Sequence, residues 1–384
     1  METIDWPESG VYGRESPTAI ASACSGVGEL SEVDCVICEN LSSAPVMFQL
    51  RRQGYSGPVV VIPHVNPYPT RNFVHALLWS GLWGPRDVVV AGSPVTARRY
   101  ESLFGMRSEP MPTYGVDESV YLRRDKDAAR SRFGLSGAPL MLYTGRLAPD
   151  KNIGALIATY RSVRRYIPEV ELVMAVRFVD VHYKSRLGAL ADVKILDNLS
   201  PPELADLYCA ADVFLSCATS YHETFGMSPL EAMTCGCPVV LPDWDGFRSY
   251  ARGDGHRLVP VNFLTEPVYD RWSYAMADLS ATVRACVDVL ITQPRADPAP
   301  KQCTRTWFES RFNGLLLETL DGTGSARRGQ ERKSGRLDPL LREAAEHLSL
   351  NGIEEIFRLA TCSEAELPML TGEICRNLYI ALYG

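Results

Sequence analysis

The chain has 384 residues, of which 46% are hydrophobic and 22% charged, and a net charge of −7. That length suits two domains of ordinary size, each burying its own core. The acidic balance argues against a broad nucleic-acid-binding face and leaves room for a local basic pocket around a phosphate.

No apolar run approaches the roughly 18 residues of a membrane-spanning segment. The opening stretch, Met1 to Pro7, lacks the basic start and apolar core of a signal peptide. Eleven cysteines in so long a chain fit reduced, mostly buried thiols in a cytoplasmic protein. Cys35 and Cys38 form a C-x-x-C inside an apolar run, and no second pair follows at zinc spacing.

Short runs rich in Val and Ile predict strands over Asp34 to Cys38, Pro58 to Ile62 and Asp87 to Ala91. Continuous apolar runs of this kind suit a parallel sheet covered on both faces. Ser93-Pro94 then opens a helix, with the serine as cap and the proline at the first helical position. A second series begins with a strand at Leu140 to Tyr143. The helix after it carries apolar residues at Ile153, Leu156, Ile157, Tyr160 and Val163, one face of a 3.6-residue period. Strands follow at Val170 to Val176 and Val193 to Leu196, then a helix over Pro201 to Ala210, started by the capping box Ser200 to Glu203. Strands Asp212 to Ser216 and Pro238 to Leu241 complete the series. Two rounds of β-α-β alternation imply two doubly wound α/β domains. The predicted division is 1–134, then 135–320, a flexible linker at 321–336 that has no apolar period, and a helical tail at 337–384.

The most informative stretch runs from His222 to Met233. Glu223 lies in a polar loop, Phe225, Gly226, Met227 and Ser228 follow, and Glu231 comes eight residues after Glu223. The glycine permits close backbone approach, and the N–H groups at the next helix start would face an anion. Ser228 to Glu231 also reads as a capping box, which explains Glu231 without any ligand. Glu223 has no such structural explanation. Gly145, Arg146 and Lys151 lie just beyond a neighbouring strand, where open α/β sheets bind ligands. Their two cations could neutralise a diphosphate; the alternative is two surface cations at a turn. Asp243 and Asp245 form a D-x-D after a second-domain strand, read as a turn or substrate-contacting loop in preference to a metal site. His64 and Asn66, after the second strand, and Glu39 and Asn40, after the first, are candidates on the acceptor or phosphate side.

Leu142 to Arg146 with Lys151, Leu207 to Phe214, Glu223 to Glu231 and Cys235 to Val240 together resemble the retaining glycosyltransferases of family 4 (group 1). The likeness is strong over 138–262 and weaker over 34–137. It implies the GT-B fold, two Rossmann-like doubly wound domains facing a cleft, here with a reduced N-terminal domain because only 33 residues precede the first predicted strand. By this resemblance Glu223 holds the donor sugar, Glu231 the ribose, Arg146 and Lys151 the diphosphate, Gly226 and Met227 offer backbone donors, and Leu199 lies where the base is read. His64 is similar to the family histidine near the donor phosphate. The implied reaction moves a sugar from a nucleoside diphosphate sugar to a hydroxylated acceptor, a small metabolite or natural product, with retention and without a metal or other cofactor. No nucleic acid partner is expected. A non-catalytic nucleotide-sugar-binding homologue and a GT-B epimerase are the competing readings.

Overall fold

The computed structural model describes residues 30–67, 70–179, 192–221, 223–267, 273–322, 343–344, 352–362 and 376–377. The described residues fall into two compact units, those of Met1–Thr113 with Ser310–Gly384 and those of Tyr114–Glu309. His222 and most of the predicted linker and tail lie outside the described residues; within the tail a helix spans Ile353–Thr361.

The first unit holds a parallel sheet of β1 (Val36–Glu39), β2 (Val59–Ile62), β3 (Val88–Ala91) and β4 (Ser108–Pro110), in the order β1-β2-β3-β4. Strands β2 and β3 are buried along their whole length, as near-continuous apolar strands under helices should be. Helices α1 (Ala44–Arg52), α2 (Thr70–Leu82) and α3 (Pro94–Phe104) connect them. Ser93 caps α3 as expected, its Oγ accepting from the Thr96 N–H at 3.1 Å. β4 escaped the sequence reading because Ser108, Glu109 and Pro110 carry no strand signal.

The second unit carries α4 (Lys126–Arg132), β5 (Leu140–Leu147), α5 (Ile153–Val163), β6 (Glu171–Val179), β7 (Lys194–Asp197), α6 (Pro201–Ala210), β8 (Val213–Leu215), α7 (Met227–Thr234), β9 (Val239–Pro242), α8 (Phe247–Tyr250) and β10 (Arg257–Val259). Its six-stranded sheet is parallel, in the order β10-β9-β8-β5-β6-β7. Strands β11 (Val261–Phe263) and β12 (Ala275–Ala277) form a separate antiparallel pair, followed by α9 (Leu279–Thr292); α10 (Arg305–Leu320) groups with the first unit from Ser310 onward.

All five apolar positions predicted on α5 are buried. They join a core with Met141, Leu172, Val213, Val240 and Val283. Each such aliphatic side chain contributes about 1.5–3 kcal/mol on burial.

Residues 114–134, assigned from the sequence to the first domain, group with the second unit. Ion pairs explain it: Arg130 Nη2 lies 2.7 Å from Asp212 Oδ2, Lys126 pairs with the same carboxylate, and Arg124 and Arg132 both pair with Asp206. Asp212 also accepts from the Leu140 N–H at 2.6 Å, so α4 is tied to the start of β5.

The strand order positions the site. Chain progression turns one way from β5 to β6 and the other from β8 to β9, so the sheet reverses between the paired strands β5 and β8. A crevice opens at such a switch point beyond the carboxyl ends of the strands.

Candidate functional site

The segments after β5 and β8 meet at that switch point. Lys151 Nζ lies 2.7 Å from Glu223 Oε2 and 3.6 Å from Asp150 Oδ2. Asp150 in turn pairs with Arg146, Nη2 to Oδ2 at 2.9 Å. Two cations and two carboxylates thus share one chain of charge: Arg146, Asp150, Lys151, Glu223. Burial works against the Lys151 ammonium, but Glu223 and Asp150 outweigh it and hold its pKa above the ordinary lysine value. Arg146 stays half exposed, so its guanidinium keeps donors for a further anion.

The turn that presents these cations is built by three residues. Gly145 has φ 148°, and a Cβ there would come within 2.9 Å of the Tyr143 hydroxyl. That hydroxyl donates to the Arg146 carbonyl at 2.6 Å, and the bare glycine lets it do so. Asn152 caps α5 in the left-handed region, φ 50°, and its side chain makes no bond to its own helix. Its Nδ2 instead donates to the Cys217 carbonyl at 2.9 Å and to Thr219 Oγ1 at 2.8 Å. The Lys151 turn is therefore fastened directly to the loop that carries Glu223.

That loop is pinned elsewhere too. Thr219 Oγ1 donates to the Ala275 carbonyl at 2.7 Å, and the Trp244 indole donates to the Ser220 carbonyl at 3.1 Å. At Gly226, φ 83°, a Cβ would sit 2.4 Å from Phe247 Cε1 and 3.1 Å from Glu223 Oε1. The Gly226 carbonyl accepts from the Tyr250 hydroxyl at 2.9 Å, and Phe225 packs edge-on against the Tyr250 ring. Phe225 is buried, so only its backbone is available to a ligand.

The capping-box reading of Ser228 to Glu231 needs correction. Helix α7 begins at Met227 with Gly226 as its cap, and no side-chain cap bond forms. Met227 and Ser228 present backbone N–H groups in the first turn, at the positive end of the helix dipole. Glu231 turns towards α6, where Tyr208 Oη donates to its Oε2 at 2.8 Å. Burial raises the Glu231 pKa, and hydrogen bonds from Tyr208 and Tyr121 oppose that rise. With its carboxylate engaged by phenols, Glu231 does not close back on Ser228.

Leu199 is half buried between β7 and α6, next to Asn198 at φ 52°. Asp243 pairs with Arg248, Oδ1 to Nε at 2.9 Å, and Trp244 between the two aspartates is buried. The D-x-D is a turn anchored by its central tryptophan. Among the described residues no group of three His, Cys, Asp or Glu side chains could hold a metal.

The remaining candidates belong to the first unit. His64 and Asn40 both have positive φ, 55° and 83°, at the carboxyl ends of β2 and β1. Burial lowers the His64 pKa, against the pull of Glu39. Glu39 is exposed at the end of β1. Asn66 is fully buried, and its Oδ1 accepts from Arg99 Nη1 at 2.7 Å, so its side chain braces the loop. Burial pushes the Cys35 and Cys38 thiols up to about 11 and about 12, far from a reactive thiolate pair.

Asp150, Asn152, Tyr121 and Tyr208 were missed by the sequence reading. Asp150 and Asn152 flank Lys151; Tyr208 lies inside the Leu207 to Phe214 segment, and Tyr121 is far from Glu231 in the chain.

Residues 125–265 match the family model described as Glycosyl transferases group 1. The D-inositol 3-phosphate glycosyltransferase of Rhodococcus erythropolis is 27% identical over 244 residues, 60% of this chain and 52% of that protein. Its namesake in Stackebrandtia nassauensis is 37% identical over 231 residues, 49% of this chain and 51% of that one. The phosphatidyl-myo-inositol mannosyltransferase of Mycolicibacterium smegmatis is 28% identical over 228 residues, 57% of this chain and 56% of that one. The chain spans about half the length of these curated relatives. Among solved structures, sucrose-phosphate synthase from Thermosynechococcus elongatus superposes with a TM-score of 0.58 at 19% identity, covering 80% of this chain and 76% of that one. Anabaena Alr3699/HepE in complex with UDP and glucose gives 0.56 at 17% identity, covering 78% and 81%. The chain has the GT-B fold.

Proposed function

We propose that this protein is a glycosyltransferase that binds a nucleoside diphosphate sugar at the β5–β8 switch point and transfers the sugar to a hydroxylated acceptor. The observation that carries this reading is the contact of Lys151 with Glu223. A diphosphate requires a cation and sugar hydroxyls require acceptors, and the bond to be broken joins those two parts of the donor. A lysine and a glutamate 2.7 Å apart, on adjacent strand ends, suit that junction.

As the sugar–phosphate bond breaks, negative charge develops on the leaving diphosphate. Lys151, Arg146 and the N–H groups of Met227 and Ser228 stabilise it where it forms. Glu223 accepts from sugar hydroxyls and holds the reacting carbon in place. The leaving diphosphate takes the acceptor proton on the same face, which retains the anomeric configuration. Two protein cations supply the charge that a divalent ion would otherwise bring, so the reaction proceeds without one. Leu199 lies towards the base, and His64, Glu39 and Asn40 serve the acceptor or phosphate side. The names of the D-inositol 3-phosphate glycosyltransferases favour a small polyol or its phosphate as acceptor.

The test is a matrix of UDP-, GDP-, ADP- and dTDP-sugars against inositol, inositol phosphates and other small polyols, with products read by mass spectrometry and anomeric NMR, with and without EDTA. Transfer with retention in EDTA supports the reading. Donor binding without any turnover would indicate a non-catalytic homologue, and sugar interconversion without an acceptor an epimerase.

A further inference from the structure

Tyr208 and Thr144 form a directed chain that ends on Glu231. Tyr208 Oη lies 2.8 Å from Glu231 Oε2 and 2.6 Å from Thr144 Oγ1. A phenol has one proton to give, and an ionised carboxylate can only accept. Tyr208 therefore donates to Glu231, and its oxygen accepts from Thr144. Each donor along the chain strengthens the next. The ring of Tyr121 lies 6.1 Å from that of Tyr208. Tyr208, Tyr121 and Thr144 are all buried, so the phenols cannot swing to follow a mobile carboxylate.

The fold does not account for Glu231. It caps no helix, and a partly buried carboxylate costs more than a neutral group of the same shape. The Tyr208 phenol occupies part of its acceptor capacity, and about four lone-pair directions are available to a carboxylate. What remains suits a pair of neighbouring hydroxyls. Thr144 immediately precedes Gly145 and Arg146, so the chain is anchored on the strand that bears the cations.

We propose that Tyr208 is a positioning residue that aims Glu231 at the ribose diol of the nucleotide and thereby sets the preference for ribo- over 2′-deoxyribonucleotides. This rests on the donor reading above. A phenol lost from Glu231 frees the carboxylate to turn away, and the energy of its bond to the 2′-hydroxyl is lost with it. Binding that does not use that hydroxyl is unaffected.

The experiment is calorimetry on the full chain with UDP, GDP and ADP, each paired with its 2′-deoxy counterpart. The wild type should prefer one ribonucleotide over its deoxy form by about 10- to 100-fold, the range for hydrogen bonds to a charged group. Tyr208→Phe should cut that preference to within about threefold, by weakening the ribo form and leaving the deoxy form unchanged. Thr144→Val, which keeps both phenols and removes only the anchor, should give a smaller change of the same sign and serves if Tyr208→Phe does not fold. Equal loss of affinity for both sugars in the variants overturns the proposal, because that is what a merely structural role produces. A wild type that binds nucleotides without preferring ribose overturns it too. No nucleotide binding at all overturns the donor reading first, and this proposal with it.

Discussion

Lys151 Nζ lies 2.7 Å from Glu223 Oε2 although 72 residues separate them in the chain. One group follows β5 and the other β8, and these paired strands flank the reversal of the sheet. The contact joins the phosphate half of the site to its sugar half. It is preorganised by Asn152, which bonds across the same gap one residue further on.

Removing either charge should disable transfer and leave the fold in place. Glu223→Gln keeps shape and a hydrogen-bonding oxygen beside Lys151, and Lys151→Ala leaves Glu223 at the mouth of a pinned loop. Each should lower kcat by about 10²–10³, the usual loss for one preorganised charge-stabilising group. Initial rates together with circular dichroism check this; near-wild-type turnover in both variants contradicts it.

Asn152 should matter for stability and activity together. Asn152→Ala loses two hydrogen bonds, leaves the buried Cys217 carbonyl short of a donor and strains a left-handed residue, for a loss of about 2–4 kcal/mol. Asn152→Gly relieves the strain alone and should recover about 1 kcal/mol. Thermal unfolding ranks the pair, and kcat/KM should fall in both because Lys151 loses its tether to the Glu223 loop.

Gly226→Ala should be more damaging than a typical loop substitution. Its φ of 83° is unfavourable for alanine, and the new methyl would press 2.4 Å from Phe247 Cε1 and 3.1 Å from Glu223 Oε1. The expected outcome is a lower Tm with a raised donor KM. A variant of unchanged Tm and KM would show that the ring of Phe247 gives way freely.

Stability should fall on mild acidification. Burial lowers the pKa of His64, His75 and His256, that of His75 to about 4, where its Nε2 lies 3.2 Å from the Ala360 carbonyl. Each folded pKa lies below the ordinary histidine value of 6.5. The unfolded chain therefore takes up protons first as pH drops, and stability present above pH 6.5 is lost below it. The His75 share approaches about 3 kcal/mol near pH 4, at 1.36 kcal/mol for each pKa unit. Tm measured from pH 7.5 to 4.5 should decline in the wild type and less steeply in His75→Gln.

Much of this was legible in the sequence, for a physical reason. Strand cores such as Val59 to Ile62 and the α5 face from Ile153 to Val163 announce themselves by period, because burial demands it. Gly145, Arg146, Lys151, Glu223 and Gly226 stand out as charges and glycines beside strand ends. Other features depend on contacts that no local window contains. The cap at Glu231 was misread because Tyr208 and Tyr121, 23 and 110 residues away in the chain, claim its carboxylate. The first domain was drawn too long because the hold of Asp206 and Asp212 on α4 and its flank spans about 80 residues. Asn66, read as a ligand candidate from its loop, is buried, with its Oδ1 accepting from Arg99.

The central claim is that the Lys151–Glu223 junction holds a nucleoside diphosphate sugar. Thermal shift across the donor panel, repeated in Lys151→Ala, tests it most directly, since a ligand that binds only the folded state raises Tm in proportion to its affinity. The account predicts a saturable rise in Tm with one class of donor in the wild type, abolished in the variant. A panel that shifts nothing, or a shift that persists unchanged without Lys151, would contradict it.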